Sequence, residues 1–231
     1  MIADLVAQAV RDAETNNKTE LGQAAHLLLS CLRRDGLVYT AGAGHSLAAV
    51  AETFYRAGGL ACVYPLYHAD LLPLHGAQGS TAAERRSGLA AQVLRDAAPG
   101  PADVLVVFSN SGANPYPVEL AAGARAPVIA VTSRASVAAA PRRAASTLLD
   151  HADIVVDTGV RPGDASFPPG QPRTAALSTV LNAALWNAAL AHLLIIADVD
   201  VPLWRSSNIP GGDEANVALL ARYRPRVPAL R

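Results

Sequence analysis

Apolar residues recur at helical spacing at the start of the chain, at Ile2, Leu5, Val6, Ala9 and Val10, and again at Leu21, Ala24, Ala25, Leu28, Leu29 and Leu32. This predicts two amino-terminal helices, the second stopping near Arg33, Arg34 and Gly36, because basic residues followed by glycine are the expected helix end. The period then changes. Continuous apolar runs at 37–41, 61–66, 104–108, 128–132 and 154–156 read as short strands buried on both faces of a parallel sheet. Helix-compatible segments alternate with them. One spans 47–56 and is closed by Gly58 and Gly59; one starts at Ser80 or Thr81, where a capping-box pattern with Glu84 begins, and runs to about Ala98. Another spans 116–125 behind Pro115, a favoured first helical residue. Residues 175–196 predict a long apolar helix and 215–223 a short one. Residues 136–146 take no assignment, and the Gly- and Pro-rich 158–174 reads as a long loop, a length that in a compact domain is usually functional or mobile. Alternating strands and helices predict a flavodoxin-like, doubly wound, five-stranded parallel sheet preceded by two helices. One domain is expected, with helices over 1–35, an α/β core over 36–200 and a tail over 201–231.

The polar residues concentrate where strands end. The first strand runs into Gly42-Ala43-Gly44-His45-Ser46, the third into Ser109-Asn110-Ser111-Gly112-Ala113-Asn114, and the fourth into Ser133. In a doubly wound sheet the carboxyl ends of the first and third strands flank the point where strand order reverses, which is where such sheets bind ligands. Each loop leads into a helix start, where free N–H groups and the macrodipole favour an anion. The loops carry no lysine or arginine, so hydroxyls, amides and helix dipoles would hold a dianionic phosphate monoester on a small molecule. A Walker loop would need Gly-Lys-Ser/Thr, and the first loop lacks the third glycine of the dinucleotide fingerprint.

Composition narrows the partners. Hydrophobic residues make up 51% of the chain and the formal net charge is zero, which gives no argument for nucleic acid or a membrane surface. Lys18 is the only lysine and sits in a polar turn, which makes Schiff-base chemistry an unsuitable reading. Cys31 and Cys62 are too few for a disulfide framework or a metal site, so a reducing cytoplasm is expected. No basic segment followed by a long apolar run marks a signal peptide, and the apolar stretch 188–197, interrupted by His192, is too short to span a bilayer.

Gly42-x-Gly-His-Ser46, Phe108-Ser-Asn-Ser-Gly112 and Val131-Thr-Ser133, in this order and spacing, resemble the SIS (sugar isomerase) domain. The stretch from Glu52 to Gly59 and the Asn-Pro after the second loop resemble a branch of uncharacterised SIS proteins close to phosphoheptose isomerases. The resemblance implies a phosphosugar-binding fold from about residue 20 onward, with phosphate held by Ser46, Ser109, Ser111 and position 114. That position is Asn here, where the family motif has Thr, so the contact changes from hydroxyl to amide. Gly44, His45, Asn110, Gly112 and Ser133 complete the expected phosphate and sugar contacts. The family implies homo-oligomers, dimers or tetramers, whose sites borrow residues across the interface.

Aldose–ketose isomerisation needs a base that moves a proton between adjacent carbons and a group that manages the oxygens. Glu52, on the helix that follows Ser46, is the first candidate for the base, since similar isomerases carry a glutamate on the corresponding helix. His75, in a loop after an apolar run, is the candidate for ring opening. Glu84 with Arg85 is a further candidate acid–base and anchoring pair, Ser80 and Thr81 sit at a predicted helix start, and Ser178 and Thr179 could cap a helix or offer hydroxyls to the sugar, although the helical apolar pattern begins before them. His192 reads as a core histidine, and Asp213 and Asn216 could close the site from the tail. The expected activity is a sugar-phosphate isomerase working through an enediol with neither cofactor nor metal. A phosphosugar sensor without catalysis remains the alternative, as do the lyase, etherase and amino-sugar deaminase chemistries of the same family.

Overall fold

The computed structural model describes residues 1–231. Five strands, β1 (Val38–Gly42), β2 (Val63–Leu66), β3 (Val104–Phe108), β4 (Val128–Thr132) and β5 (Ile154–Asp157), form one parallel sheet in the order β2-β1-β3-β4-β5. The central strands are covered on both faces, and every residue of β3 is buried, as the unbroken apolar runs require. Register sets where the strands end. Val38 pairs with Val104 and Gly42 with Phe108, so β1 and β3 end level, and Phe108 pairs with Val131. The first two serine loops therefore leave the sheet side by side, with Ser133 one step beyond.

Helices α1 (Ile2–Asn16), α2 (Lys18–Arg33), α3 (Leu47–Thr53) and α8 (Ser178–Ile196) group together. Val106, Ile129, Val131 and Val156 of the sheet meet Leu21, Ala24 and Leu28 of α2 and Leu185, Trp186 and Ala189 of α8. Helices α4 (Ala77–Arg85), α5 (Leu89–Ala97) and α6 (Pro115–Gly123) form a second group, with α6 against β3. The buried amide of Asn17, between α1 and α2, donates to Asp157 O and accepts from Asp157 N, both at 2.7 Å, which fastens the amino-terminal helices to β5. α9 (Gly212–Tyr223) follows a segment that pairs Leu60 with Leu203 and uses buried Asn216 to hold both backbone polar groups of Arg205.

Several expectations change in detail. The single helix predicted from Ser80 or Thr81 to Ala98 is two helices, because Arg86 is extended and Gly88 turns left-handed at φ 91°. Ser80 and Thr81 are inside α4, where they donate to Leu71 O and Ala77 O instead of capping. The unassigned stretch begins with α7 (Arg134–Ala139), whose amino-terminal cap is Ser133. α8 starts at Ser178, after Ala175 at φ 58°, and α3 stops at Thr53, before Tyr55 at φ 45°. α8 is long and apolar enough to cross a membrane by length and composition alone, yet Leu181, Leu185, Trp186, Leu190 and Leu193 are buried against its neighbours.

Candidate functional site

The level ends of β1 and β3 bring the serine loops onto one cavity of about 400 Å³. Ser46, Ser109, Asn110, Ser111 and Asn114 line it, together with Glu84 from α4, Ser136 from α7, and Pro162 and Gly163 from the long loop. The volume lies within the range of small-molecule sites. A larger cavity, about 690 Å³, lies between α1 and the segment after β5 and contains none of the serine-loop residues.

Gly112 fixes the second loop. It has φ 52°, and a Cβ there would lie 2.8 Å from Val137 Cγ2 and 3.2 Å from Thr132 Oγ1. Its N–H donates to Ser109 Oγ at 3.2 Å, so Ser109 shapes the loop as well as lining the cavity. Ser46 and Ser111 line the cavity with no intramolecular partner for either hydroxyl. Asn110 Nδ2 donates weakly to Ser136 Oγ at 3.4 Å, and its buried Oδ1 has no partner. Two prolines, at the first and third positions of α6, leave that helix fewer free N–H groups than an ordinary helix start offers an anion.

The only carboxylate lining the cavity is Glu84. A Cβ on Gly44 would lie 3.9 Å from its Oε2, which places it against the first loop. Its Oε1 accepts from Asn114 Nδ2 at 2.7 Å. Burial pushes its carboxyl above the usual range, an effect opposed by the charges of Arg85 and Arg143. A half-buried carboxylate facing unpartnered hydroxyls is equipped to take a proton from a bound ligand.

The other candidates lie elsewhere. Glu52 sits on the side of α3 that meets α8, where it accepts from Arg56 Nη1 at 2.6 Å and, at 3.5 Å, from Asn187 Nδ2. It does not line the serine-loop cavity. His75 is exposed, 3.4 Å from Tyr67 Oη, and lines a separate cavity with Asp70 and Arg86. His45 is exposed beside the first loop, and Arg85 and Thr179 are exposed too. Ser133 is fully buried and occupied: it accepts from Ser136 N and donates to Val160 O, anchoring the loop that carries Pro162 and Gly163. Ser178 donates to Asp164 Oδ2 at 2.6 Å. No three His, Cys, Asp or Glu side chains gather as a metal site. Ser136 and Arg143 are site residues that the sequence does not single out. The Ser133-x-x-Ser136 spacing of a helix cap is a signal for the first; nothing local signals the second.

Residues 3–133 match the family model described as SIS domain. A UPF0309 protein of Geobacillus kaustophilus is 34% identical over 94% of this chain and 90% of its own length, and one of Brucella anthropi is 36% identical over 91% and 89%. Among solved structures, the phosphoheptose isomerase GmhA of Neisseria gonorrhoeae superimposes with a TM-score of 0.52 at 22% identity, covering 82% of this chain and 93% of that one. A phosphoheptose isomerase of Francisella tularensis gives 0.51 at 20% identity, covering 83% and 94%. At these identities the structural likeness establishes the fold.

Proposed function

Since the chain belongs to the SIS domain family and matches UPF0309 proteins over almost its whole length, we propose that the serine-loop cavity binds a sugar phosphate and interconverts its aldose and ketose forms. The observation that carries this reading is the meeting of Glu84 with the partnerless hydroxyls of Ser46 and Ser111 in one cavity. The hydroxyls and loop amides take the phosphate, which anchors the sugar and leaves its carbonyl end to reach Glu84. Ionised Glu84 removes the proton from the carbon next to the carbonyl, giving an enediolate, a proton passes from the neighbouring hydroxyl to the former carbonyl oxygen, and Glu84 returns its proton to the former carbonyl carbon. Asn110 and Ser136 line the same cavity and are available to hold the two sugar oxygens. Glu84 thus takes the role expected of Glu52, whose carboxylate is committed to Arg56 and Asn187. No cofactor enters this chemistry. Two buried thiols suit a reducing compartment, and the exposed apolar end of α8 suits assembly with further copies of the chain.

Thermal stabilisation by a panel of sugar phosphates tests the site, because a ligand that binds only the native state raises the melting temperature. The expected result is a shift by a sugar phosphate that Ser111→Ala abolishes. Glu84→Gln should keep the shift and lose turnover by about 10²–10⁴-fold, the usual contribution of a general base. Turnover unchanged in Glu84→Gln would sink the base assignment, and a panel without a hit would sink the phosphosugar reading. Binding without turnover in the wild type would favour the sensor.

A further inference from the structure

Asn114 caps the amino terminus of α6, yet its side chain makes no capping bond. The sequence removes one of its two usual donors. A cap side chain accepts from the N–H of the second or third helical residue, and the third residue here is Pro117, which has none, leaving only the N–H of Tyr116. The carboxamide, on a residue only 7% exposed, is turned to another use. Its Nδ2 donates to Glu84 Oε1 at 2.7 Å, and its Oδ1 accepts from Arg143 Nη1 at 3.2 Å. The orientation follows from the partners, since a carboxylate only accepts and a guanidinium only donates; a flipped amide would set donor against donor and acceptor against acceptor. Arg143 comes from the connection after α7, so three separate elements meet through one amide.

We infer that Asn114 is a positioning residue that ties Glu84 to Arg143, and not a phosphate ligand. The inference rests on the reading of Glu84 as the base. A phosphate bound by the serine loops brings a second anion into the cavity that holds Glu84, which by itself favours the protonated, inactive carboxyl. The Asn114 N–H and the Arg143 charge behind it oppose that and hold Oε1 in one place. Threonine, the residue of the family motif, carries its donor and acceptor on one short hydroxyl oxygen, whereas the carboxamide presents them on two separate atoms with longer reach. The substitution thus exchanges one phosphate contact for control of the base.

Other charged and titratable groups surround Glu84. On its own helix, Arg85 acts in the same direction as Arg143. On neighbouring segments, Glu119 of α6 accepts from Gly88 N, Asp70 lies near Arg86 and His68, His75 lies beside Tyr67, and His45 is exposed by the first loop. None of these is hydrogen-bonded to the Glu84 carboxylate.

The test reads the Glu84 carboxyl directly, by carbon NMR of protein labelled at the glutamate side-chain carboxyl, with the resonance assigned by its disappearance in Glu84→Gln. Its titration midpoint is expected to rise in Asn114→Leu and in Arg143→Met, and to rise further in both when inorganic phosphate is added. The affinity for inorganic phosphate should change less than about twofold in Asn114→Leu, whereas Ser111→Ala should weaken it by about tenfold or more, the scale of a lost hydrogen bond to a charged group. Where turnover is measurable, the acid limb of kcat/KM should move upward with the midpoint, and Arg143→Lys should restore part of it. A midpoint unmoved in both variants overturns the inference, as does a loss of phosphate affinity in Asn114→Leu equal to that in Ser111→Ala. These readings need no turnover, so a failure of the isomerase reading remains separately visible: it appears as a wild type that binds sugar phosphates without converting them.

Discussion

Glu84 carries opposed demands. Its carboxyl is held above the usual range chiefly by burial, so folding favours the protonated form. A group whose folded value is raised contributes stability below its unfolded value, near about 4.3 for glutamate, and loses that contribution as pH rises through the folded value. At neutral pH an ionised Glu84 therefore weakens the fold, while the base role proposed for it needs that ionised form. Glu84→Gln, which can still accept from Asn114, should melt at a higher temperature than the wild type at pH 7. The gap should close as pH falls below the usual carboxylate range, as thermal melts of both proteins across pH will read. Gly112, Ser109 and Ser133 have the reverse character: they shape the loops through contacts that leave no freedom for other residues.

Among the elements, the segment between β5 and α8 has the least regular structure and lines the cavity with Pro162 and Gly163. It is held by Asp164, which is itself at φ 64°. One carboxylate oxygen accepts from Leu177 N and Ser178 N, both at 2.9 Å, and the other from Ser178 Oγ, so a residue of the loop caps the helix that follows. Asp164→Ala removes all three bonds. It should cost about 1–2 kcal/mol, the scale of a lost helix cap, and speed tryptic cleavage after Arg173. Melting curves and a proteolysis time course check both, and unchanged cleavage would show that Asp164 does not restrain the loop. The same element explains Ser178, which is a tether for the cavity wall and does not line the cavity itself.

At the scale of the whole molecule, α8 combines a buried side with an exposed apolar end. One side fills the space between α2, α3 and the sheet, while Leu194 and Ile195 at its end are 52% and 81% exposed. Val199, just beyond, is 39% exposed. Apolar side chains left together on a surface mark a contact site, which is the basis for expecting assembly with further copies. Light scattering should give a dimer or tetramer mass for the wild type and a lower mass for Ile195→Asp, with helical circular dichroism unchanged. A wild-type monomer at micromolar concentration would remove this expectation.

The parallel sheet was legible in the sequence because strands buried on both faces must be apolar throughout, and such runs stand out against the amphipathic period of helices. The serine loops were legible because their chemistry is local: glycine for left-handed backbone, and hydroxyls and amides at strand ends. Helix limits were less so. Gly88 and the extended Arg86 break one predicted helix in two, and propensity alone does not decide between a tolerated and a breaking glycine. Which of Glu52 and Glu84 lines the serine-loop cavity is visible only in the tertiary structure. Both lie near a loop in the chain, but a helix presents each side chain in a single direction, and that direction depends on how the helix packs. α3 packs on α8, which turns Glu52 to Arg56 and Asn187. α4 packs against α6 and the first loop, which turns Glu84 into the cavity beside Asn114. Arg143 reaches the same amide from 29 residues further along the chain, a contact produced by closure of the fold with no local pattern to announce it.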